Sequence, residues 1–301
     1  MEIRKLSDLF SEVKSKGRRR LVVVNAVDAH SVEAVHQAIS LNIVSGILTG
    51  DRDKIIGLCH KINVDPGIFT IIPAKDEQEA ASEAVKLIKR GEADIIMKGL
   101  ISTDKYMRAL LNKEYGLLPP GGVLGHVTVI ENPVYHKLLV VSDVAVIPYP
   151  SLEQKVVLVN YLIETARALG VGQPKVALIA ASEQVLPSLV SCTDAAVISG
   201  MYDKGYFPGA IVAGPMALDV AVDRESAEIK QIVSPVAGDA DCLLFPNIDA
   251  GNVFYKANTK LCKSEQAAVV VGATVPAILS SRGDSMQTKL NSVALAAILC
   301  K

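Results

Sequence analysis

Short aliphatic runs alternate with helix-periodic segments along most of the chain. Leu21-Val22-Val23-Val24 is a β-branched run. Beyond it Val32, Val35 and Ile39 share one face at helical spacing, with Asp28 or Ser31 placed to cap the start. Residues 43–48 repeat the strand pattern, and Ile55, Cys59 and Ile62 follow at helical spacing. Residues 68–72 are a third strand. The segment from Asp76 has acids in its first turn, Lys86, Lys89 and Arg90 in its last, and Gly91 where a helix stops. Asp94-Ile95-Ile96-Met97 is a fourth strand, after which Lys98-Gly99 leads to Ser102 or Thr103 as a helix cap. Such βα units in succession predict a parallel, doubly wound sheet.

The rhythm breaks at the loop Leu117-Leu118-Pro119-Pro120-Gly121-Gly122. Residues 127–130 and 138–141 then read as a hairpin, a natural place for a domain boundary. Alternation resumes with a helix over 151–169, strands at 176–180, 210–213, 242–245, 268–271 and 277–279, and a last apolar helix over 286–300. Length alone suggests about two domains.

Composition sharpens this picture. Half of the 301 residues are apolar, yet only 4% are aromatic and none is Trp. That suits parallel strands buried under helices on both faces and excludes disordered and collagen-like classes. Lys plus Arg is 31 and Asp plus Glu 32, a net charge of −1. No global field favours nucleic acid or an anionic membrane, so any anion site is local. The five cysteines are widely spaced without a CxxC pair, which argues against a disulfide framework and structural zinc and for a reducing cytoplasm. The first ten residues include acids and no apolar stretch, so no signal peptide is expected. The longest uncharged stretch, 266–281, is broken by Gly272 and Pro276 and is too short for a membrane span. The basic run over 14–20 reads as a solvated helix end.

The usual phosphate loops and hydrolase elbows are absent: there is no GxGxxG, GxxxxGK[ST], HExxH or GxSxG. In doubly wound sheets ligands bind outside the carboxyl ends of strands. There Lys98 and Gly99, with Ser102 and Thr103, offer a cation, a close-approach glycine and a helix N-terminus, an anion cradle that Arg108 can share. The alternative is that Lys98 and Arg108 are ordinary surface charges. Gly214-Pro215 leads to Asp219, either a ligand group or only a cap. In GDADCLLFPNIDAGN, Asp239 and Asp241 precede a strand and Asp249 follows it, so the acids sit at opposite ends and speak against a metal site. Ser280-Ser281-Arg282-Gly283-Asp284-Ser285 brings hydroxyls, a cation and an acid to a strand end, able to bind an anion and stabilise an oxyanion. Ser281 has no visible elbow or His partner for a role as covalent nucleophile, and His30 and His126 read as packed or exposed side chains.

Met97-Lys98-Gly99 with Ser102-Thr103, Lys155 with Asn160, Pro174-Lys175-Val176-Ala177, Gly214-Pro215 to Asp219, the run 238–256 and Ser281-Arg282 occur in the order of the phosphate acetyltransferase and phosphate butyryltransferase family. The chain resembles that family over nearly its full length. GDADCLLFPNIDAGNVFYK together with SSRGDS is the specific part, and Lys98 and Thr288-Lys289-Leu290 look more like the butyryl branch. The resemblance implies reversible transfer of a short acyl group, butyryl or a similar C3–C5 chain, between CoA and inorganic phosphate. It implies no metal, no permanently bound cofactor and no covalent intermediate. The implied fold is two α/β/α domains with mostly parallel sheets and an interdomain cleft, of the isocitrate/isopropylmalate dehydrogenase type. Its C-terminal helix returns to the first domain, giving 1–133 plus 281–301 and 134–280. A homodimer or higher homo-oligomer is also implied.

By the same resemblance, Ser281 and Arg282 face the reacting carbonyl and sulfur. Asp284 is the nearest acid, because Thr288 stands where the acetyl branch has its aspartate. Substrate contacts are expected at Lys98, Gly99, Thr103, Arg108, His126, Lys155, Asp219, Asn252 and Lys256. The chemistry asks for these types. Phosphate is already anionic and needs orientation, the tetrahedral intermediate needs donors at its oxyanion, and the CoA thiol gains from a base or cation. With no Trp and few Phe, charge and backbone contacts, not an adenine-stacking platform, are expected to hold CoA. The competing readings are a phosphate acetyltransferase, a metal- and NAD-dependent decarboxylating dehydrogenase of related fold, and a non-catalytic CoA- or anion-binding module.

Overall fold

The computed structural model describes residues 2–279 and 284–300. The chain forms two compact units, Leu6–Leu124 with Ala267–Lys301, and Met1–Lys5 with Gly125–Gln266. The breaks differ from those expected at 133/134 and 280/281, for a reason visible in the pairing. A boundary inside the hairpin would separate strands that share a ladder through Thr128↔Val141, Val129↔Val140 and Ile130↔Leu139.

The first unit opens with α1 (Asp8–Lys16), β1 (Arg19–Val24), α2 (Ala29–Ser40), β2 (Val44–Gly50), α3 (Arg52–Lys61), β3 (Phe69–Pro73), α4 (Glu77–Lys89), β4 (Ile95–Lys98) and α5 (Thr103–Leu111). These strands lie parallel in the order β3-β2-β1-β4. Leu21 to Val24 are fully buried, so no polar position interrupts the run. Each helix after a strand starts on a capping side chain: Asp28, Asp51, Asp76 and Ser102 each accept a backbone N–H from the first turn. The basic run over 14–20 is not one solvated helix end. Lys14 and Lys16 close α1, while Arg19 and Arg20 open β1, where Arg20 grips Asp94 through Nε (2.9 Å) and Nη2 (2.5 Å). This fork ties the start of β1 to the residue before β4.

The second unit contains β5 (Gly125–Glu131), β6 (Leu139–Ser142), α6 (Leu152–Ala168), β7 (Lys175–Ile179), α7 (Val190–Asp203), β8 (Ile211–Met216), α8 (Leu218–Val222), α9 (Arg224–Ile229), β9 (Cys242–Leu244) and α10 (Ile248–Lys260). Its strand order is β5-β6-β9-β7-β8, parallel except for the β5–β6 hairpin. Val141, Ala177, Leu243, Phe245 and Met216 pack one face of this sheet against Val220, Ala227 and Val236.

The chain then returns to the first unit. After β10 (Glu265–Val271), β11 (Ala277–Ile278) pairs antiparallel with β10 and parallel with β4, and α11 (Met286–Leu299) packs against α1 and α2. Thr288 to Ile298 are all buried, which explains why α11 lacks a polar face. Among the described residues no helix is long and apolar enough to cross a membrane.

Candidate functional site

In the first unit the chain leaves β1 towards β2 and β3 on one side and returns to β4 on the other. The loops after β1 and β4 therefore diverge at the carboxyl edge of the sheet, the usual place for a ligand in an open α/β sheet. Asn25, at φ 54°, turns the chain out of β1, and its Nδ2 donates to the Leu100 carbonyl at 2.5 Å. The Gly99 N–H donates to the Val24 carbonyl at 3.0 Å. A Cβ on Gly99 would lie 2.6 Å from the Val24 oxygen and 2.7 Å from that of Asn25, so the two loops can meet only at a glycine.

Lys98 ends β4 and is 8% exposed, its Nζ 3.4 Å from the Gly99 carbonyl oxygen. Met97 pairs with Ile278, so the chain leaves β11 at Leu279 beside Lys98. Ser281 and Arg282 lie outside the described residues. Asp284 is half-buried immediately before Ser285, the cap of α11. Thr288, at the position of the acetyl-branch acid, is buried. Its N–H donates to Ser285 Oγ at 3.0 Å and its Oγ1 is 3.0 Å from the same oxygen, so this side chain serves the helix cap.

A pocket of about 1140 Å³ runs along this edge, with Asn25, Leu100, Lys75, Lys105, Arg108 and Tyr115 among its lining. Thr103 opens α5 exposed to solvent at the same edge. Arg108 lies in the last turn of α5, 79% exposed, with Nε 3.1 Å from Asp104. Lys98 thus ends β4 with Gly99 directly after it, Thr103 and Arg108 lie on the helix that follows, and of these four Arg108 lines the pocket.

The second unit has its own carboxyl edge. Asp143 follows β6 and is buried. Its Oδ2 accepts the His126 N–H at 3.0 Å, and its Oδ1 accepts those of Ala145 and Val146 at 2.8 Å. His126, also buried, has Nδ1 3.3 Å from Thr128 Oγ1. Asn247 caps α10, and Asn252 Nδ2 donates to the Val144 carbonyl at 3.0 Å. A Cβ on Gly251 would collide with the Asp143 carbonyl oxygen. The Asn-x-x-x-Gly-Asn part of the signature run thus braces α10 against the 143–146 turn, with Asn252 giving one of its two amide N–H groups to that brace.

Lys155, on α6, is buried with Nζ 2.6 Å from Asp194 Oδ2 on α7, beside Leu178, Leu244 and Phe245. Asp219 sits in the first turn of α8 but does not cap it; that position is Ala217. Lys230 lies 2.9 Å away, and its hydrogen bond holds the Asp219 carboxyl below the usual carboxylate range. Lys256 is exposed, more than two turns into α10. His126, Lys155, Asp219, Asn252 and Lys256 therefore all belong to the second unit, and Lys256 stands apart from its carboxyl edge.

Sequence reasoning missed Asp143 and Asp194, which act through partners 17 and 39 residues away. The Ser-Asp step at the end of an apolar strand was the only local signal for Asp143. Asp239 and Asp241 stand before β9, as expected, bonded to Lys175 and Lys137, with His136 also on Asp239. Burial pushes the Asp239 carboxyl up, but the hydrogen bonds from Lys175, Lys137 and His136 prevail and hold it far below its ordinary range. Among the described residues no three His, Cys, Asp or Glu side chains gather as a metal site.

The family described as phosphate acetyl/butaryl transferase matches residues 74–297. A phosphate butyryltransferase of Clostridium acetobutylicum is 41% identical over 99% of this chain and 98% of its own length. A phosphate acetyltransferase of Thermotoga maritima is 38% identical over 97% of this chain and 99% of its own length. Among solved structures, a branched-chain phosphotransacylase from Enterococcus faecalis superposes with a TM-score of 0.83 at 27% identity, covering 94% of this chain and 100% of that one. The chain belongs to the phosphate acetyl/butyryl transferase family.

Proposed function

We propose that this chain catalyses the reversible reaction of a short acyl-CoA with inorganic phosphate, giving acyl phosphate and CoA, with butyryl or a similar C3–C5 acyl group preferred. The observation that carries this reading is Lys98, buried at the point where the β1 and β4 loops diverge and beside the strand end that leads to Ser281 and Arg282. Lys98 orients a phosphate that is already anionic at neutral pH. The Ser281 hydroxyl and the Arg282 guanidinium supply donors to the oxyanion of the tetrahedral intermediate. Asp284 takes the thiol proton when CoA is the attacking group, the role that Thr288 cannot fill. CoA and phosphate are substrates, and no cofactor stays bound.

The working form is a homo-oligomer. Support comes from the second unit, where Val190, Val197 and Tyr206 are large apolar side chains that stand 67%, 48% and 62% exposed. All five cysteines are free thiols, which suits a cytoplasmic protein.

The test is an acyl-CoA panel from acetyl to branched C5 with phosphate, following CoA release. A maximum at C3–C5 supports the reading, and a maximum at acetyl moves the chain to the acetyl branch. CoA binding by calorimetry without turnover on any substrate makes it a binding module instead. Arg282→Gln lowers turnover strongly with the fold intact, and unchanged activity removes Arg282 from the chemistry. Asp284→Asn flattens the pH–rate profile while Thr288→Ala does not; if neither does, Asp284 is not the base.

A further inference from the structure

Among the described residues the buried lysines are Lys98, Lys155 and Lys289, the last only 6% exposed. Lys155 has Asp194 as its partner, and Lys98 has the Gly99 carbonyl. The Lys289 ammonium has neither an ion pair nor a hydrogen bond among the described residues. The polar side chains around it on α11 are matched: Thr288 with Ser285, Gln287 with Asn291, and Ser292 with the Thr288 carbonyl and the Ala268 N–H. Folding gains nothing from this cation. A buried ammonium without an acceptor is costly, and in the first turn of a helix it also meets the positive end of the helix dipole. Lys289 is the fourth residue after the Ser285 cap, so it stands in that turn.

A ligand can reach this ammonium, because Lys289 Nζ is not among the sealed polar atoms of the described residues. Side chains on a helix lean towards its N-terminus, so the long Lys289 stem reaches back over the start of α11. Asp284 is the residue before the cap, and the residues one before a cap and four after it lie side by side. The chain enters α11 from β11, which lies parallel to β4 with Ile278 opposite Met97, so this turn follows the same sheet edge that Lys98 ends on.

We propose that the Lys289 ammonium is the counter-ion of the CoA sulfur. The proposal deepens the acyl-CoA reading and rests on it. When phosphate attacks, the tetrahedral intermediate collapses, the C–S bond breaks with its electron pair going to sulfur, and the thiolate forms against the ammonium. In reverse the thiol proton passes to Asp284, the thiolate held by Lys289 attacks the acyl phosphate carbonyl, and phosphate leaves with the electron pair of the C–O bond. Lys289 stays protonated throughout and acts as a neighbouring cation that favours thiolate over thiol. The sulfur, and not phosphate, is the anion assigned to it, because Lys289 lies beside Asp284, the group that meets the thiol, while Lys98 orients the phosphate.

The experiment compares CoA with desulfo-CoA, which lacks the sulfur, by calorimetry on wild type and Lys289→Met at about pH 8.5, the ordinary thiol pKa. Butyryl-CoA and phosphate kinetics and circular dichroism melts are taken on the same preparations. Lys289→Met is expected to melt no lower than wild type, to lose at least tenfold in kcat and to bind CoA at least fivefold more weakly, with desulfo-CoA unchanged. Should Lys289→Met fail to fold, Lys289→Gln is read by the same criteria. A folded variant with kcat within twofold of wild type overturns the assignment. Equal weakening of both ligands also overturns it, as does a tenfold higher KM for phosphate with kcat unchanged; each places the ammonium on another group and leaves the transferase reading standing. Wild type that releases no CoA from butyryl-CoA and phosphate refutes the transferase reading. Lys289 is then judged by the two ligands alone, where a preference for CoA that the variant loses supports the assignment and equal affinities in both proteins overturn it.

Discussion

Lys155 offers a sharp separation between a substrate contact and an internal brace. Its ammonium lies 2.6 Å from Asp194, with the two side chains 6% and 20% exposed. At an effective dielectric constant of about 20, two unit charges at that distance attract by about 6 kcal/mol. Removing both ions from water offsets most of this, so the intact pair contributes little net stability. Removing one ion leaves the other buried without a partner, at a cost of about 3–5 kcal/mol. Lys155→Met strands the Asp194 carboxylate, and Asp194→Asn strands the more deeply buried ammonium, so Asp194→Asn is the more damaging of the two. The double variant Lys155→Met/Asp194→Leu returns to within about 1 kcal/mol of wild type. Urea unfolding followed by circular dichroism reads these differences, and KM for acyl-CoA is measured on the same preparations. A Lys155→Met protein with wild-type urea midpoint and a tenfold higher KM would refute the brace and make Lys155 a ligand contact. A double variant as unstable as the single ones would also contradict the ion-pair reasoning.

Two further outcomes follow from the second unit and α3. Asp239 is held far below the ordinary aspartate range, so its stabilisation is fully present above about pH 4, the unfolded value, and is lost as pH falls towards the folded one. Asp239→Asn is therefore destabilised by about 1.5–3 kcal/mol at pH 6, and the gap to wild type narrows below pH 4; urea unfolding at a series of pH values would show a constant gap if this were wrong. Gly251→Ala forces a methyl group onto the Asp143 carbonyl and costs about 1–3 kcal/mol, whereas Gly57→Ala on α3, where nothing lies within 4 Å, gains from helix propensity. Thermal melts that move in the same direction for both variants contradict the close packing at Gly251.

The parallel core was legible because its signals are local. Unbroken burial writes aliphatic runs such as Leu21 to Val24, and helices that follow announce themselves through Asp28, Asp76 and Ser102. The turn at Lys98 and Gly99 was legible for the same reason, since a cation, a close-approach glycine and the Ser102 cap lie within a few residues. By contrast α7 left no trace. Its VSCTDAAVISGMYD sequence is apolar around much of its circumference, and its residue Asp194 is neutralised by Lys155 from another helix, so no polar face sets a period. Asp143 was hidden because its His126 partner meets it only after the hairpin closes, while its bonds to the Ala145 and Val146 N–H groups look like those of any turn aspartate. Asn252 was expected as a substrate contact from its place in the signature run, and the fold adds that one of its amide N–H groups holds the Val144 carbonyl. The unit breaks expected at 133/134 and 280/281 came from the rhythm of the elements, which does not reveal which strands share hydrogen bonds.

The most direct test of acyl transfer to phosphate is butyryl-CoA incubated with the protein in the presence and absence of phosphate. Free CoA is followed by a thiol reagent and acyl phosphate by phosphorus NMR. The proposed reaction requires one acyl phosphate for each CoA released and no release when phosphate is omitted. Release of CoA at the same rate without phosphate, or release with no acyl phosphate formed, would contradict it.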